Sequence, residues 1–550
     1  MPAIVASLCF VAYFLGYRYY ARYLSRRVFE LDDARATPAH ELRDGIDYVP
    51  TRPAVLFGHH FASIAGLSPM LGPAIAVIWG WLPALLWVVL GTLLLGAVHD
   101  FSALVLSMRA RGMSIGKVAE DIIGPRAKTL FHALIFFLVA LAMGVFVHVV
   151  ALLFTPAFYP EAVRPTFGLM GIAVVVGWLV YRRGVALLPL TGVAFVGALV
   201  LVALARPGEG PALSLGTWKW ALLAYAFLAS VLPVWLLLQP RDYVNSLLLY
   251  LGLVLSYLGF FLHAPGFQAP ALQASPPGAP PLFPFVFIVI ACGAVSGFHG
   301  LVSSGTTAKQ IDRETHAPRI GYGGMIGESL LGLLAVLACT AGFSDRLSWA
   351  NHYADWSSAA DLGDRIGAFI TGTARFLGAL GIPESFGAPF VALIVVSFAL
   401  TSLDSATRLL RFNLSEIGEA RGLGALRNRY VASAAACAAI GFFAFYEIDG
   451  RAAGLTLWRL FGTTNQVLGG LTLLAVSVHL FRRGKNYWVT LVPMVGLLAT
   501  TMVAMALNVR DFWYEKEWPL LAIGIALIAL ATWLVVESAL RVRREWSAAR

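Results

Sequence analysis

The sequence predicts an all-α polytopic membrane protein of about fifteen transmembrane helices, two of them broken. Three observations predict it. Of 550 residues, 59% are hydrophobic and only 13% charged, with a mean hydropathy of +0.76, whereas soluble domains carry about 25% charge. Apolar runs near the roughly 20 residues that span a bilayer recur along the whole chain. Two of those runs are interrupted by glycine and proline with polar side chains among the breakers.

In order, the runs fall at about 3–20, 58–80, 82–108, 130–154, 167–181, 185–205, 218–238, 246–263, 285–306, 322–343, 386–407, 430–446, 455–481, 488–507 and 520–540. The first lacks a basic leader and is followed by the Tyr- and Arg-rich residues 17–27, without a small-residue cleavage site. It reads as a retained helix rather than a signal peptide. The Pro-rich, uncharged stretch 264–284 reads as a loop, and the polar stretch 344–365 as an interfacial cap. Assigning connecting segments alternately to two sides gathers most Arg and Lys on one. That side takes 22–52, 109–128, Arg182 and Arg183, Arg241, 309–319, 408–429, 482–485 and the tail 541–550. The positive-inside rule then places the N-terminus in the periplasm and the C-terminus in the cytoplasm. The same bias accounts for a net charge of +10 without a nucleic-acid partner; membrane lipid is the partner implied. Cys9, Cys292, Cys339 and Cys437 lie scattered in apolar runs, with neither metal nor disulfide spacing.

The first broken run carries Gly58, His59, His60, Ser63, Gly66, Ser68, Pro69, Gly72 and Pro73. The second carries Gly293, Ser296, Gly297, His299, Gly300, Ser303, Ser304 and Gly305. Irregular backbone at membrane depth must be buried in protein or line a cavity, because lipid cannot solvate peptide groups. Two such segments in separate halves of a chain point to the substrate site of an inverted-repeat transporter. On this reading residues 53–205 form one repeat and 283–481 the other, crossing in opposite senses. Residues 1–50 are an added helix and basic loop, 206–282 an insertion, and 482–550 added C-terminal helices.

Candidate substrate contacts are His59, His60, Ser63, Ser68, Ser296, His299, Ser303, Ser304 and the amides Asn465 and Gln466. Amides inside spans also glue helices together. Candidates for ion coupling are Asp100, Lys309, Glu328 and Asp404, since ionisable groups within spans are costly and usually functional. Thr401, Ser402 and Ser405 place hydroxyls within a helical turn of Asp404, a donor set suited to Na⁺. A structural pair of Asp404 with Arg408 at i, i+4 is the competing reading. His59, His60, His99 and His299 admit a metal site, though their spacing carries no metal signature. No phosphate-loop pattern is present, so ATP drive is not suggested and the coupling ion is H⁺ or Na⁺, with no cofactor.

The blocks from Arg52 to Pro73 and from Gly96 to Phe101 resemble the carbon starvation protein A family. So do Ser303 to Thr307, Leu403 to Arg408 and Phe461 to Gln466. The resemblance implies the LeuT-like five-plus-five fold of the amino acid–polyamine–organocation superfamily. It further implies an inner-membrane carrier for peptides, with proton-coupled pyruvate uptake in some relatives. Both substrates carry a carboxylate. The function expected is therefore ion-coupled import of peptide by alternating access; the alternatives are a pyruvate or small-carboxylate symporter and, less well supported, a histidine-metal membrane enzyme. The sequence leaves the oligomeric state open.

Overall fold

Helices account for nearly all of the regular structure, because apolar backbone must satisfy its hydrogen bonds within each segment. A computed structural model describes residues 1–548 other than 123, 207, 361, 449 and 450. Asp361 in the cap stretch and Arg550 at the end of the basic tail therefore lie outside the described residues. A two-residue ribbon pairs Glu447–Ile448 with Arg451–Ala452. Among the described residues, ten helices are long and apolar enough to cross a membrane, or eleven with the bent pair at residues 53–79. Three further apolar helices, Leu187–Ala203, Leu215–Val231 and Arg429–Phe445, are shorter.

The elements that frame the site are α1 (Pro53–Ile64), α2 (Ser68–Ala76), α3 (Ala97–Arg109), α4 (Leu238–His263), α5 (Gly297–Gly305), α6 (Gly323–Ala341), α7 (Glu384–Arg421) and α8 (Ala453–Arg482). Burial separates centre from periphery. The apolar window of α8 is 89% buried and that of 314–341 is 83%, against 17% for the first helix and 33% for the last. The peripheral helices turn Ile4, Leu8, Val11, Phe14, Val492 and Val495 outward, an apolar surface that suits lipid and not water.

Two expectations about element bounds change. The seventh run does not continue to 238: Leu232 is extended, and Pro233 disfavours helical backbone at the residue before it. The chain re-enters helix at Leu238, so Arg241 belongs to the first turns of α4 and not to a basic loop. Residues 386–407 are part of the 38-residue α7, which runs about 57 Å. It stops at Gly422, whose left-handed φ of 69° closes the C-terminus. A helix that the hydropathy leaves unassigned, Leu362–Gly378, packs against α4, α6 and α7.

Close helix crossings rest on glycine. A side chain at Gly96 would drive into the carbonyl oxygen of Ala294, and one at Gly72 into that of Val289. Backbone cannot step aside as a flexible side chain can. Gly96→Val is expected to cost at least the upper end of the about 1–3 kcal/mol usual for overpacking. Gly496→Val, where nothing stands within 4 Å, is expected to leave the melting midpoint of purified protein unchanged.

Candidate functional site

Both sequence-predicted breaks exist. α1 and α2 meet at a 47° bend across residues 65–67, with Pro69 in the first turn of α2, where its missing N–H costs little. In the second run, Val295 and Ser296 are extended between Ala294 and α5. The freed backbone groups find partners on neighbouring helices. Ser402 Oγ donates to the Ser63 carbonyl at 2.9 Å, and Thr92 Oγ1 to that of Gly293 at 3.3 Å. The Phe298 N–H donates to Asn465 Oδ1 at 2.9 Å. The broken runs are antiparallel: Thr51, before α1, donates its N–H to the carbonyl of Gln310, after α5, at 3.0 Å. At the opposite ends Trp79 Nε1 donates to the Pro280 carbonyl at 3.2 Å.

Two buried charge networks flank the breaks. In the first, Glu328 Oε2 of α6 lies 3.2 Å from His299 Nε2 of α5. His299 Nδ1 lies 3.1 Å from Asp100 Oδ2 of α3, and His99 Nδ1 lies 2.8 Å from Asp100 Oδ1. The Glu328–His299 approach meets an ion-pair distance but not hydrogen-bond geometry: both Glu328 oxygens and His299 Nε2 lack a hydrogen-bond partner. In the second network Arg241 of α4 contacts Asp404 of α7 and reaches Asp242 through Nη2 at 2.9 Å. Asp242 Oδ2 meets His59 Nδ1 of α1 at 2.6 Å. Tyr225 OH donates to Asp404 Oδ2 at 2.5 Å and also contacts Arg241.

All of these charged side chains are essentially inaccessible to solvent. Across the two networks there are four carboxylates and one guanidinium: Asp242 and Asp404 meet Arg241, whereas Asp100 and Glu328 meet only histidine. Burying an ion costs several kcal/mol unless it is paired. Neutrality here requires protons on His59, His99, His299 or on the carboxyls themselves. His60 sits beside them, hydrogen-bonded to Thr307 Oγ1 at 2.9 Å, with Nε2 unpartnered.

The structure redistributes several predicted residues. Asp404 does not pair with Arg408; Arg408 Nη1 instead bonds Asp47 at 2.6 Å, because Arg241 on the facing helix occupies the Asp404 carboxylate. Ser63 and Ser405 hydroxyls meet at 2.7 Å. Thr401 donates to the Ser397 carbonyl of its own helix at 2.9 Å. Ser296 and Asn465 bond each other at 3.0 Å, and Asn465 fills the N-terminus of α5. Gln466 glues helices, donating to the Phe287 carbonyl and accepting from Thr501 at 3.1 Å. Ser303 is buried with an unpartnered hydroxyl. Ser304 Oγ accepts the Ile115 N–H at 3.2 Å, outside both networks, and Ser68 is only half-buried at the start of α2. Lys309 lies past the end of α5 and joins neither network. His99 and His299 share Asp100 while His59 meets Asp242, and no group of three His, Cys, Asp or Glu that could hold a metal ion is found among the described residues.

Sequence reasoning missed Arg241, Asp242, Tyr225 and Asp47. Arg241–Asp242, an ionisable doublet at the edge of an apolar run, was the signal available. Asp47 belongs to a strap, residues 29–52, that ties the ends of the basic segments together. Arg109 grips Glu314 at 2.9 and 3.0 Å while donating to the Phe29 carbonyl at 2.7 Å. Asp32 N–H donates to Glu314 at 3.0 Å, and Trp235 Nε1 to the Gly45 carbonyl at 3.0 Å. Burial opposes the charge of Asp47, but the guanidiniums of Arg408 and Arg411 outweigh it and hold its carboxyl down at about 2.

A model of the carbon starvation protein CstA family matches residues 2–349 and 343–504. The peptide transporter CstA of Campylobacter jejuni is 36% identical over 567 residues, covering 91% of this chain and 79% of its own. That of Escherichia coli is 35% identical over 568 residues, with 91% and 80% covered. The pyruvate/proton symporter BtsT of Escherichia coli is 34% identical over 591 residues, with 92% and 81% covered. Among solved structures, the manganese transporter of Eremococcus coleocola aligns with a TM-score of 0.48 and 14% identity over 92% of this chain and 99% of that one.

Proposed function

The chain belongs to the carbon starvation protein CstA family, and from that premise we propose that it is an ion-coupled secondary importer of peptides in the bacterial inner membrane. The observation that carries the coupling is the buried cluster of four carboxylates, two of them against Arg241 and two against His299. Such a cluster holds protons, and a carrier that exposes it alternately to two sides moves them. We read residues 53–205 and 283–481 as inverted repeats within fifteen spans, with the antiparallel breaks at the pivot. Substrate binds between the breaks, near His59, His60, Ser63, Ser296 and His299. The strap face is cytoplasmic, where its arginines and lysines follow the positive-inside rule.

H⁺ is the coupling ion of this reading, because the buried carboxyls and histidines can take up and release protons. Pyruvate is the alternative substrate, on the strength of the BtsT relative. Proteoliposomes loaded at neutral pH and diluted into acid medium are expected to accumulate labelled dialanine, and a Na⁺ gradient alone is expected to drive none. Accumulation of pyruvate but not dialanine would move the substrate to the second reading. Accumulation under Na⁺ alone would sink H⁺ coupling.

A further inference from the structure

Lys309 is buried, 9% exposed; its backbone N–H donates to the Thr306 carbonyl, yet among the described residues its ammonium has no hydrogen bond or ion pair. Its Nζ stands 3.4 Å from the centroid of Phe412 and 5.3 Å from that of Tyr48. Aromatic faces stabilise a cation on one side only, and an ammonium keeps donors to spare. Lys309 lies beyond the span, and burial pushes its ammonium down to about 8 against the pull of Asp47 and Glu416. The charge is thus under-compensated where it sits.

A cavity of about 350 Å³ opens beside it, lined by Lys309, Phe412, Ser415, Glu416, Glu419 and Arg427. A second recess of about 20 Å³ shares Lys309, Phe412 and Glu416 with it and is also lined by Ser304 and Gly305, room for about one water. That recess is lined by Leu301, Ser304 and Gly305 of α5, whose other end carries His299, about 9 Å away along the axis. Lys309 and Glu416 line both spaces without pairing with each other. Glu416 accepts from Ser114 Oγ at 2.5 Å and stands 3.7 Å from His132 Nε2. Exposed Glu419 and Arg427 repeat the two signs at the rim.

Opposite charges that share a cavity without meeting are complementary to a solute carrying both. We propose that this vestibule on the strap face is a binding site for a zwitterion, a free amino acid or short peptide, with its carboxylate against Lys309 and its ammonium against Glu416. The site rests on the transport reading, in which it is a station between the breaks and the strap face. It is separate from the central contacts.

Calorimetric binding to purified protein in lipid nanodiscs tests it, with dialanine, dialanine amide, N-acetyl-dialanine and pyruvate as probes. Dialanine amide lacks the carboxylate and N-acetyl-dialanine lacks the ammonium. Removing either group is expected to weaken binding about tenfold or more, the worth of a charge-assisted hydrogen bond. Lys309→Met, which keeps the packing on Phe412, is expected to weaken dialanine equally and to abolish discrimination between dialanine and its amide. Lys309→Arg is expected to retain that discrimination. Glu416→Gln is expected to weaken dialanine while leaving N-acetyl-dialanine unchanged. Unaltered dialanine binding and discrimination in Lys309→Met overturns the site, as does pyruvate binding as tight as dialanine's with Glu416→Gln silent. Proteoliposome uptake separates the two readings. Accumulation with Lys309-independent binding removes the vestibule alone. Lys309-dependent binding without accumulation removes transport and keeps the vestibule.

Discussion

Arg241→Met is expected to destabilise the protein by about 3–5 kcal/mol, because it strands two buried carboxylates. Arg241 is 1% exposed on its side chain, and its two partners, Asp404 and Asp242, are fully buried. Methionine fills similar volume, so packing changes little and the loss is electrostatic. A second substitution isolates that cause. Arg241→Met with Asp404→Asn removes one charge of each sign and leaves Asp242 facing His59 at 2.6 Å. The double variant is expected to recover a large part of the lost stability, a coupling that a double-mutant cycle reads directly. Thermal unfolding of the four proteins in detergent supplies the cycle. A double variant no more stable than Arg241→Met would mean that Arg241 is held there for shape and not charge.

The second large effect falls on energised transport. Glu328→Gln is expected to abolish H⁺-driven accumulation while leaving exchange of labelled for unlabelled substrate intact. Exchange needs only binding and the conformational cycle, whereas accumulation needs a proton carried in one direction. Glutamine keeps the shape of Glu328 and a polar oxygen near His299 Nε2, now 3.2 Å from the carboxylate, but it cannot take up a proton. The chain of contacts runs Glu328 to His299 to Asp100 to His99, so loss at one end interrupts the path. Counterflow and pH-jump uptake, measured on the same proteoliposomes, distinguish the two activities. Full accumulation by Glu328→Gln would exclude this carboxyl from coupling. Loss of both activities would assign it to substrate binding or folding instead.

Much of the centre is legible in the sequence. Gly66, Pro69, Gly293 and Gly297 mark the breaks, because their backbone preferences are local and survive any tertiary setting. Asp100, His299, Glu328 and Asp404 stood out as ionisable groups inside apolar runs. Their partners did not. Helical spacing offered Arg408 to Asp404, yet Arg241, separated by 163 residues along the chain, occupies that carboxylate. Arg241 itself looked like loop charge, since hydropathy cannot tell a helix's first turns from the segment before it. Thr401 looked like an ion ligand because its hydroxyl lies within one turn of the others; the rotamer that bonds its own helix at Ser397 is a property of packing.

The sequence by itself determined the solvent, the helical architecture and the two places where helices fail. Each follows from hydropathy and backbone chemistry summed over short windows. Only the tertiary structure decided which buried charge meets which, and that Lys309 faces a vestibule instead of the central network. Those outcomes depend on distances between helices far apart in the chain, and Coulomb attraction in a dry interior acts across space without regard to sequence separation.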